Sequence, residues 1–253
     1  MKSEKRHAQI LQLLRHYGFV TVAEISRQLK VSNMTIRRDL DVLQGMGLIT
    51  RSHGGASLTP ERGDVEWPLM LRLQEQMAQK HRIGQRAAQF VRSGDVVILD
   101  GGSTTLAVAQ HLTQDRLTVV TNCLPILSAI SSLPNIKLMS PGGMFYVDNQ
   151  CFIGPVTVQS LKSVNANVVF VGTSGLSLDH GMTNRKFEEA ETKRAMLDAA
   201  AQKILVMDSS KMHTHTLATV GPIDVIDILV TDDGLSAADK ASIESRGVQV
   251  VIA

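Results

Sequence analysis

Residues 21–57 read TVAEISRQLKVSNMTIRRDLDVLQGMGLITRSHGGAS, and this stretch decides the fold of the N-terminal part of the chain. Thr21 and Glu24 form a T-x-x-E capping box, which predicts that a helix begins directly after Thr21. Ser32 is a good N-cap for a second helix over residues 33–44. Two short helices in tandem, followed by a glycine-containing stretch that can pair as a hairpin, predict a winged helix-turn-helix.

The second predicted helix has one apolar face and one charged face. Ile36 and Leu40 lie one turn apart and define the stripe that faces inward. Arg37 and Arg38 lie away from this stripe, where a recognition helix would meet DNA. Charged helix faces are common on protein surfaces, so a solvated face with Arg38 paired to Asp41 is the alternative interpretation.

Basic charge is concentrated in the N-terminal quarter of the chain. Residues 1–63 hold ten Lys/Arg against five Asp/Glu, and the remainder holds 16 against 19, although the whole chain is only +2. Neutralisation of DNA phosphates requires such a basic surface, so the pattern favours DNA binding. The candidate DNA contacts are Ser32, Asn33, Thr35, Arg37, Arg38, Arg51 and His53.

The length of 253 residues accommodates a small head and one medium-sized domain. We predict a DNA-binding domain at 1–58, a linker at 59–78 and a second domain at 79–253. No apolar run approaches the ~18 residues of a membrane span, and the charged N-terminus has no apolar signal-peptide region, so we expect a cytoplasmic protein. The two cysteines are not spaced as metal ligands and are expected to be reduced thiols.

Helical and strand patterns alternate in the second domain. Short apolar runs predict strands at residues 96–99, 117–121, 136–139, 168–172, 204–207, 226–230 and 248–252. Continuous apolar runs are typical of strands buried on both faces, so we expect an α/β fold with a mostly parallel, Rossmann-like sheet between helices. Ligands of such sheets bind beyond the carboxyl ends of the strands.

The first predicted strand of this domain ends in DGGSTT, residues 100–105, and leads directly into a helix. Glycines followed by hydroxyls at a helix N-terminus present N–H groups and the positive end of the helix dipole, which favours an anion. The motif lacks the lysine of a P-loop and the spacing of a dinucleotide fingerprint, so a monophosphate suits it better than a nucleotide. An ordinary turn capped by Ser103 is the alternative.

Other strand ends are also rich in small polar residues, which predicts a ligand cleft at this edge of the sheet. For Lys193, a surface ion pair with the glutamates about one turn earlier is the alternative. We expect no cofactor and no metal site, because the H-x-H at His213 and His215 has no matching third ligand. Cys123 is expected to be a passive wall residue. The candidate effector contacts are Asp100, Gly102, Ser103, Thr104, Thr105, Asn122, Gly142, Gly143, Lys193, Asp208 and Lys211.

With these motifs laid out, the chain resembles the DeoR-type family of bacterial transcriptional repressors along nearly its full length. In the head, the resemblance rests on VS at 31–32, TIRRDL at 35–40 and HGGA at 53–56. In the second domain it rests on DGGSTT at 100–105, VTN at 120–122, PGG at 141–143, DSSK at 208–211 and ILVTD at 228–232. The resemblance implies a fold related to ribose-5-phosphate isomerase and coenzyme A transferases, used for sensing. It also implies regulation of a carbohydrate operon by a phosphorylated sugar or related metabolite.

The sequence thus predicts a DNA-binding regulator, a repressor of a carbohydrate operon, rather than an enzyme. Its expected partners are operator DNA, a phosphorylated sugar or sugar-acid effector, and further copies of itself in a dimer or tetramer. A sugar-phosphate isomerase or transferase with an accessory DNA-binding head is the alternative from another class, and an architectural DNA-binding protein without a ligand is a third. No catalytic base lies beside a second proton-transfer group in the pattern, which argues against the enzyme.

Overall fold

The computed structural model describes three stretches of the chain: residues 3–52, 54–59 and 68–253. The chain divides into two compact units, Met1–Glu75 and Gln76–Ala253. Each unit contains its own hydrophobic core. The division falls within residues 59–78, the predicted linker. Residues 60–67 of this linker, which include its tryptophan, lie outside the described residues.

The first unit is a helical domain with a small antiparallel sheet. Its elements, in chain order, are α1 (Ser3–Tyr17), β1 (Phe19–Thr21), α2 (Val22–Leu29), α3 (Asn33–Gly45), β2 (Ile49–Ser52), β3 (Gly55–Leu58) and α4 (Leu69–Arg72). The strand order is β1-β3-β2, so β2 and β3 form the predicted wing and β1 extends it. Strand β1 was not predicted, because three residues are too few to show the alternation of a strand.

Both predicted helix starts in the head are confirmed by their caps. Thr21 Oγ1 accepts a hydrogen bond from the Glu24 N–H at 3.3 Å, and the Glu24 carboxylate accepts one from the Thr21 N–H at 2.8 Å. Ser32 Oγ accepts from the Thr35 N–H at 3.3 Å. Lys30, between the two helices, has a left-handed φ of 54° and allows the sharp turn. The winged helix-turn-helix is therefore built from local signals.

The second unit is an α/β domain with many short elements. In chain order these are α5 (Met77–Ala87), β4 (Val96–Leu99), α6 (Ser103–Gln110), β5 (Leu117–Thr121), α7 (Leu124–Ile130), β6 (Ile136–Met139), β7 (Met144–Tyr146), β8 (Cys151–Ile153), α8 (Pro155–Leu161), β9 (Ala166–Val171), β10 (Gly175–Ser177), β11 (Gly181–Asn184), α9 (Phe187–Asp198), β12 (Ala200–Val206), β13 (Ala218–Gly221), β14 (Ile228–Thr231), α10 (Ala237–Glu244) and β15 (Gln249–Ile252). Three short 3₁₀ turns lie between them.

Seven of these strands form one parallel sheet in the order β15-β14-β12-β9-β4-β5-β6. They are the seven strands that the apolar runs predicted, within a few residues at each end. Consecutive residues of β9, from Val168 to Val171, are all buried, and since neighbouring residues point to opposite faces, both faces of the sheet are covered. The predicted fold class is confirmed.

Two small antiparallel arrangements accompany the main sheet. Strands β10, β11 and β13 form a three-stranded sheet, and β7 pairs with β8 in a hairpin. None of these strands was predicted, because each has only three or four residues, too few to separate a strand from a turn. They matter because the ends of β8 and β11 bring further polar residues towards the main sheet's carboxyl edge.

Helix α6 follows β4 and is fixed by a close contact with α5. An added Cβ at Gly84 on α5 would lie 2.5 Å from the main-chain carbon of Ala107 on α6, so only glycine allows this approach. Within the predicted linker, α4 ends at Arg72, and Gln76 takes a left-handed φ of 48° before α5 begins. In the part of the chain that the structure describes, no helix is long and apolar enough to cross a membrane.

Candidate DNA interface and effector site

Helix α3 presents the charged face that the sequence predicted for DNA contact. Arg37 and Arg38 are exposed, as are Ser32 and Asn33 at the N-terminal end of the helix, and Thr35 is half-buried. These residues share one helix and its N-cap, so the structure brings them onto one surface. Such an arrangement can meet phosphates and base edges together.

The wing contributes a charged side chain that is tied to the recognition helix. Arg51 on β2 is half-buried and pairs with the Asp41 carboxylate of α3. The alternative in which Asp41 pairs with Arg38 is therefore corrected, and the Arg38 side chain extends from the exposed face. His53, the other wing residue predicted to contact DNA, lies outside the described residues.

Asp39 has a structural role in the head that was not predicted from the sequence. It is buried on the inner side of α3, where it accepts hydrogen bonds from Arg6 at 2.8 Å and lies 2.9 Å from His7 Nε2. The hydrogen bond to Asp39 raises the pKa of Arg6. This ion pair joins α1 to α3 from the side opposite the arginines. Its burial could have been predicted from its position on α3, because Asp39 lies beside Ile36 and Leu40, which face inward.

The centre of the candidate effector site is a buried ion pair at the end of β4. Asp100 follows β4 directly and is only 3% exposed, and Lys193 of α9 is 4% exposed. The Lys193 ammonium donates to the Asp100 carboxylate, which also accepts from the Gly172 N–H, at the end of β9, at 3.0 Å. Burial of two charges carries a large desolvation cost, which only such close pairing offsets. Asp100 and Lys193 therefore depend on each other at this edge of the sheet.

The surface ion-pair interpretation of Lys193 is wrong. The glutamate one turn earlier, Glu189, is itself buried and is held by two asparagines. One carboxylate oxygen accepts from Asn149, and the other accepts from Asn184 at 2.8 Å. Helix α9 therefore directs an acid and a base into the protein, each with partners from other elements.

The DGGSTT segment forms the strand-to-helix turn that was expected to bind an anion. Gly102 is the N-cap of α6, no side chain caps this end, and Ser103 is already the first helical residue. The alternative in which Ser103 caps the helix is therefore wrong. Ser103, Thr104 and Thr105 are buried, and the Thr105 hydroxyl donates to the Gly102 carbonyl at 3.0 Å. The first-turn N–H groups of α6 thus lack a side-chain acceptor.

The strand ends on the β5–β6 side of the sheet contribute the next candidate residues. Asn122 follows β5 and is buried, and its amide nitrogen donates to the Phe152 carbonyl at 2.8 Å. Gly142 and Gly143 follow β6 with positive φ values of 68° and 122°. The Thr157 hydroxyl donates to the Gly142 carbonyl at 2.6 Å, which fixes this loop. Gly143 is exposed and Gly142 half-buried.

The strand ends on the β12–β14 side contribute another acid and base. Asp208 follows β12, is buried, and accepts a hydrogen bond from the Ser210 hydroxyl. Lys211 ends the short 3₁₀ turn that follows and is half-buried. Asp232, after β14, was not proposed as a contact, but it is buried and accepts from the Ser209 N–H at 2.6 Å. Because β12 and β14 are neighbours, these groups share one edge.

The two cysteines lie side by side near the carboxyl ends of the strands. Cys123 and Cys151 form an isolated antiparallel bridge, and both are buried free thiols. A hydrogen bond from the Cys151 thiol lowers the pKa of Cys123, and the same bond raises the pKa of Cys151 well above its usual value. An added Cβ at Gly101 would overlap the Cys151 sulfur, so the turn before α6 requires glycine at this position.

Two features lie outside this edge of the sheet. A groove of about 630 Å³ runs between α8 and α9, and it is lined by none of the candidate residues. His213 is exposed and contacts Asp239 at 3.1 Å. Across the described residues, no group of three or more His, Cys, Asp and Glu side chains is arranged to hold a metal ion.

Comparison with known proteins identifies the family to which both units belong. Residues 6–62 match the DeoR-like helix-turn-helix domain, and residues 75–233 match the DeoR C-terminal sensor domain. The lactose phosphotransferase system repressor of Streptococcus mutans is 33% identical over 92% of this chain and 93% of its own length. The HTH-type transcriptional repressor GlcR of Bacillus subtilis is 30% identical over 100% of this chain and 97% of its own.

The same similarity extends to other regulators. The glycerol-3-phosphate regulon repressor of Escherichia coli is 30% identical over 92% of each chain. Among solved structures, ribose 5-phosphate isomerase A from Methanocaldococcus jannaschii matches 53% of each chain at 13% identity, with a TM-score of 0.38, a likeness too low to carry an argument. The curated relatives named above are regulators, not enzymes. The chain therefore belongs to the DeoR family of DNA-binding transcriptional regulators.

Proposed function

We propose that this regulator represses a carbohydrate catabolic operon, and that a phosphorylated sugar or sugar acid controls its affinity for operator DNA. The observation that carries the proposal is the buried Asp100–Lys193 pair beside the uncapped N-terminus of α6. A helix N-terminus favours a phosphate, and a buried acid and base beside it can bind the polar groups of a sugar.

In the proposed complex the phosphate lies at the first turn of α6. It accepts from main-chain N–H groups of the turn that starts at Gly102 and from the hydroxyls of the three residues that follow. Two lysines stand at the same edge, Lys193 and Lys211, and each carries a positive charge that favours an anion. The rest of the ligand lies against Asp100, Asn122, Gly142, Gly143 and Asp208.

The names of two relatives support the carbohydrate assignment. One represses a lactose phosphotransferase system, and another represses a glycerol-3-phosphate regulon. The lactose system is carbohydrate-related, and glycerol 3-phosphate is a phosphorylated polyol. Both relatives cover more than nine-tenths of this chain, so the sensor domain is included in the similarity.

We further propose that α3 and the wing read the operator. Ser32, Asn33 and Thr35 meet the backbone and base edges at the start of the helix, Arg37 and Arg38 reach into the groove, and Arg51 contacts the backbone. One small head buries too little DNA surface for operator-level affinity, so we propose a cytoplasmic homo-oligomer that engages paired half-sites.

Regulation requires that the effector bind the DNA-competent and DNA-incompetent states unequally. A tenfold change in operator affinity corresponds to about 1.4 kcal/mol of differential binding, a small part of what a phosphate on a helix N-terminus and several hydrogen bonds supply. The proposed effector site lies in the second unit and α3 lies in the first. The change in operator affinity is therefore a coupling between two separate sites.

The test is a thermal-shift screen of sugar phosphates and sugar-acid phosphates on the parent protein and on Ser103→Ala/Thr104→Ala. A double variant on an exposed helix, Ser128→Ala/Ser131→Ala, is the matched control. We expect an effector that stabilises the parent and the control and loses most of its effect on the loop variant. A ligand that stabilises all three proteins equally would show that residues 103 and 104 do not contact the ligand. If no phosphorylated compound shifts the parent at millimolar concentration, the effector class is wrong.

A further inference from the structure

Two buried amides at the candidate effector site have oxygens without partners. Asn122 is 2% exposed and Asn184 is 4% exposed. Among the described residues, neither Asn122 Oδ1 nor Asn184 Oδ1 has a hydrogen-bond partner. Buried side-chain polar atoms are normally paired, and each exception calls for an explanation.

The orientation of both amides is determined by what their nitrogens meet. The Asn122 amide nitrogen faces the Phe152 carbonyl at 2.8 Å, and the Asn184 amide nitrogen faces the Glu189 carboxylate at 2.8 Å. A main-chain carbonyl can only accept a hydrogen bond, so the Asn122 amide cannot be turned over, and the Asn184 amide nitrogen donates to the Glu189 carboxylate. The two unpartnered atoms are therefore acceptors, and only a donor can satisfy them.

A chain of contacts, partly through side chains and partly through the main chain, links the two amides. The Glu189 carboxylate accepts from the Asn184 and Asn149 side chains, and the Asn149 main-chain carbonyl accepts from the Cys151 thiol. Cys151 in turn forms a β-bridge with Cys123, the residue after Asn122. Lys193 lies one turn after Glu189 on α9 and pairs with Asp100, where the phosphate loop begins. The unpartnered oxygens therefore belong to the same carboxyl edge of the sheet as the proposed phosphate site.

The chemistry of these acceptors specifies the ligand. A phosphate group presents mainly acceptor oxygens at neutral pH, so it cannot satisfy an amide oxygen, whereas a hydroxyl can donate to one. We propose that Asn122 and Asn184 are specificity-determining residues, and that each accepts a hydrogen bond from a different hydroxyl of the effector. This inference rests on the proposed function and deepens it: the effector is a polyhydroxylated phosphate with at least two hydroxyls free to donate.

Glu189 is a positioning residue in this arrangement. Both of its carboxylate oxygens are already engaged, one by Asn149 and one by Asn184. It therefore orients the Asn184 amide so that its oxygen is directed away from the carboxylate. Loss of this carboxylate would release the amide and weaken discrimination between ligands that differ in one hydroxyl.

A purely structural role for the asparagines predicts a different outcome. If they only anchor Phe152 and Glu189, their removal alters the melting temperature but leaves the preference among ligands unchanged. If they bind ligand hydroxyls, their removal weakens the binding of hydroxylated phosphates and leaves the binding of inorganic phosphate unchanged. Asn167 provides the matched control, because its amide oxygen is already satisfied by the Val96 N–H at 2.8 Å at the opposite, amino end of the sheet.

The experiment is calorimetric titration of the full chain with glucose 6-phosphate, ribose 5-phosphate, glycerol 3-phosphate and inorganic phosphate. Asn122→Ala and Asn184→Ala are each expected to lose about tenfold in affinity for the hydroxylated phosphate that binds best, because a ligand hydroxyl loses its acceptor. Their affinity for inorganic phosphate and all affinities of Asn167→Ala should match the parent.

A second comparison requires no variant. On the parent protein, ribose 5-phosphate should bind more tightly than 2-deoxyribose 5-phosphate, and glucose 6-phosphate more tightly than its 2-deoxy form, if the missing hydroxyl is one that an asparagine reads. Unchanged discrimination between hydroxylated phosphates and inorganic phosphate in both asparagine variants overturns the inference while the proposed function stands. A parent that binds none of these phosphates contradicts the proposed function itself, and the inference falls with it.

Discussion

Helices α3 and α9 carry the charges on which both proposed sites depend, and they treat those charges in opposite ways. On α3 the arginines are exposed, and the only buried charge, Asp39, is paired to α1 on the inner side. On α9 the acid and the base, Glu189 and Lys193, are buried and bonded to other elements. One helix leaves its positive charges exposed, and the other holds its charges in the interior of the domain.

The difference teaches how each site can achieve affinity. The charges of exposed arginines are screened by salt. Their contribution to the free energy of DNA binding therefore depends on close contact with the phosphates. Buried charges are screened far less, but each must be paired before a ligand arrives. In the proposed complexes, a ligand at α9 would therefore add to an existing network, whereas DNA at α3 would meet exposed side chains that can rearrange.

The largest expected effect comes from breaking the α9 network. Lys193→Ala leaves the Asp100 carboxylate buried without its cation, and removal of one partner of a buried pair typically costs about 3–5 kcal/mol. Urea unfolding of the sensor domain should show this loss in the free energy of unfolding. Lys162→Ala, an exposed lysine at the end of α8, is the control and should change little. Equal stability of Lys193→Ala and the parent would contradict the buried pairing.

The next effect concerns operator binding by α3. Arg37→Ala and Arg38→Ala are each expected to cost on the order of 1–3 kcal/mol of binding free energy if the guanidinium reaches a base. A phosphate contact alone costs less and makes the salt dependence shallower. Gel-shift titration at several salt concentrations separates the two, with Arg246→Ala, exposed in the sensor domain, as control. A double variant that binds operator like the parent would exclude α3 as the recognition helix.

A smaller effect is expected at the start of α3. Ser32→Ala removes the side chain that caps the Thr35 N–H and should destabilise the head by about 1 kcal/mol. Ser32→Gly should cost only a few tenths of a kcal/mol, because glycine is a tolerated cap. Thermal unfolding of the head compares the two. An unchanged melting temperature in Ser32→Ala would mean that the hydroxyl does not act as a cap.

The smallest effect is a pH dependence at the start of α2. The hydrogen bond from the Thr21 hydroxyl, followed by that from its N–H, lowers the pKa of Glu24 below its ordinary value of 4.5. A lowered folded-state pKa contributes stability above the ordinary pKa, which is lost as the pH falls through the lowered value. Glu24→Gln should therefore melt at a lower temperature than the parent at neutral pH and at the same temperature in acid. A constant difference across this range would contradict the carboxylate contribution.

Much of the architecture was predictable because its signals are local. The caps at Thr21 and Ser32 join residues three apart, and the inward stripe of α3 repeats every turn. The seven parallel strands are continuous apolar runs, which identify buried strands without knowledge of their neighbours. The loop before α6 was recognised for the same reason, since its glycines and hydroxyls are adjacent in the chain.

The short antiparallel strands were not predictable, because three or four residues carry too little pattern to separate a strand from a turn. The same holds for the pairing of charges. Arg51 rather than Arg38 meets Asp41, since the wing folds back onto α3 from ten residues away. Asp39 finds its partners on α1, 33 residues earlier.

The sequence by itself determined the helices of the head, the seven parallel strands and the turn of glycines and hydroxyls before α6, because these depend on neighbours within a turn or a strand. Only the tertiary structure decided that Lys193 is buried against Asp100, 93 residues away, and that Glu189 fixes Asn184. A charge on a helix looks the same in sequence whether it faces water or the interior. What packs over it determines whether it is solvated or must find a buried partner.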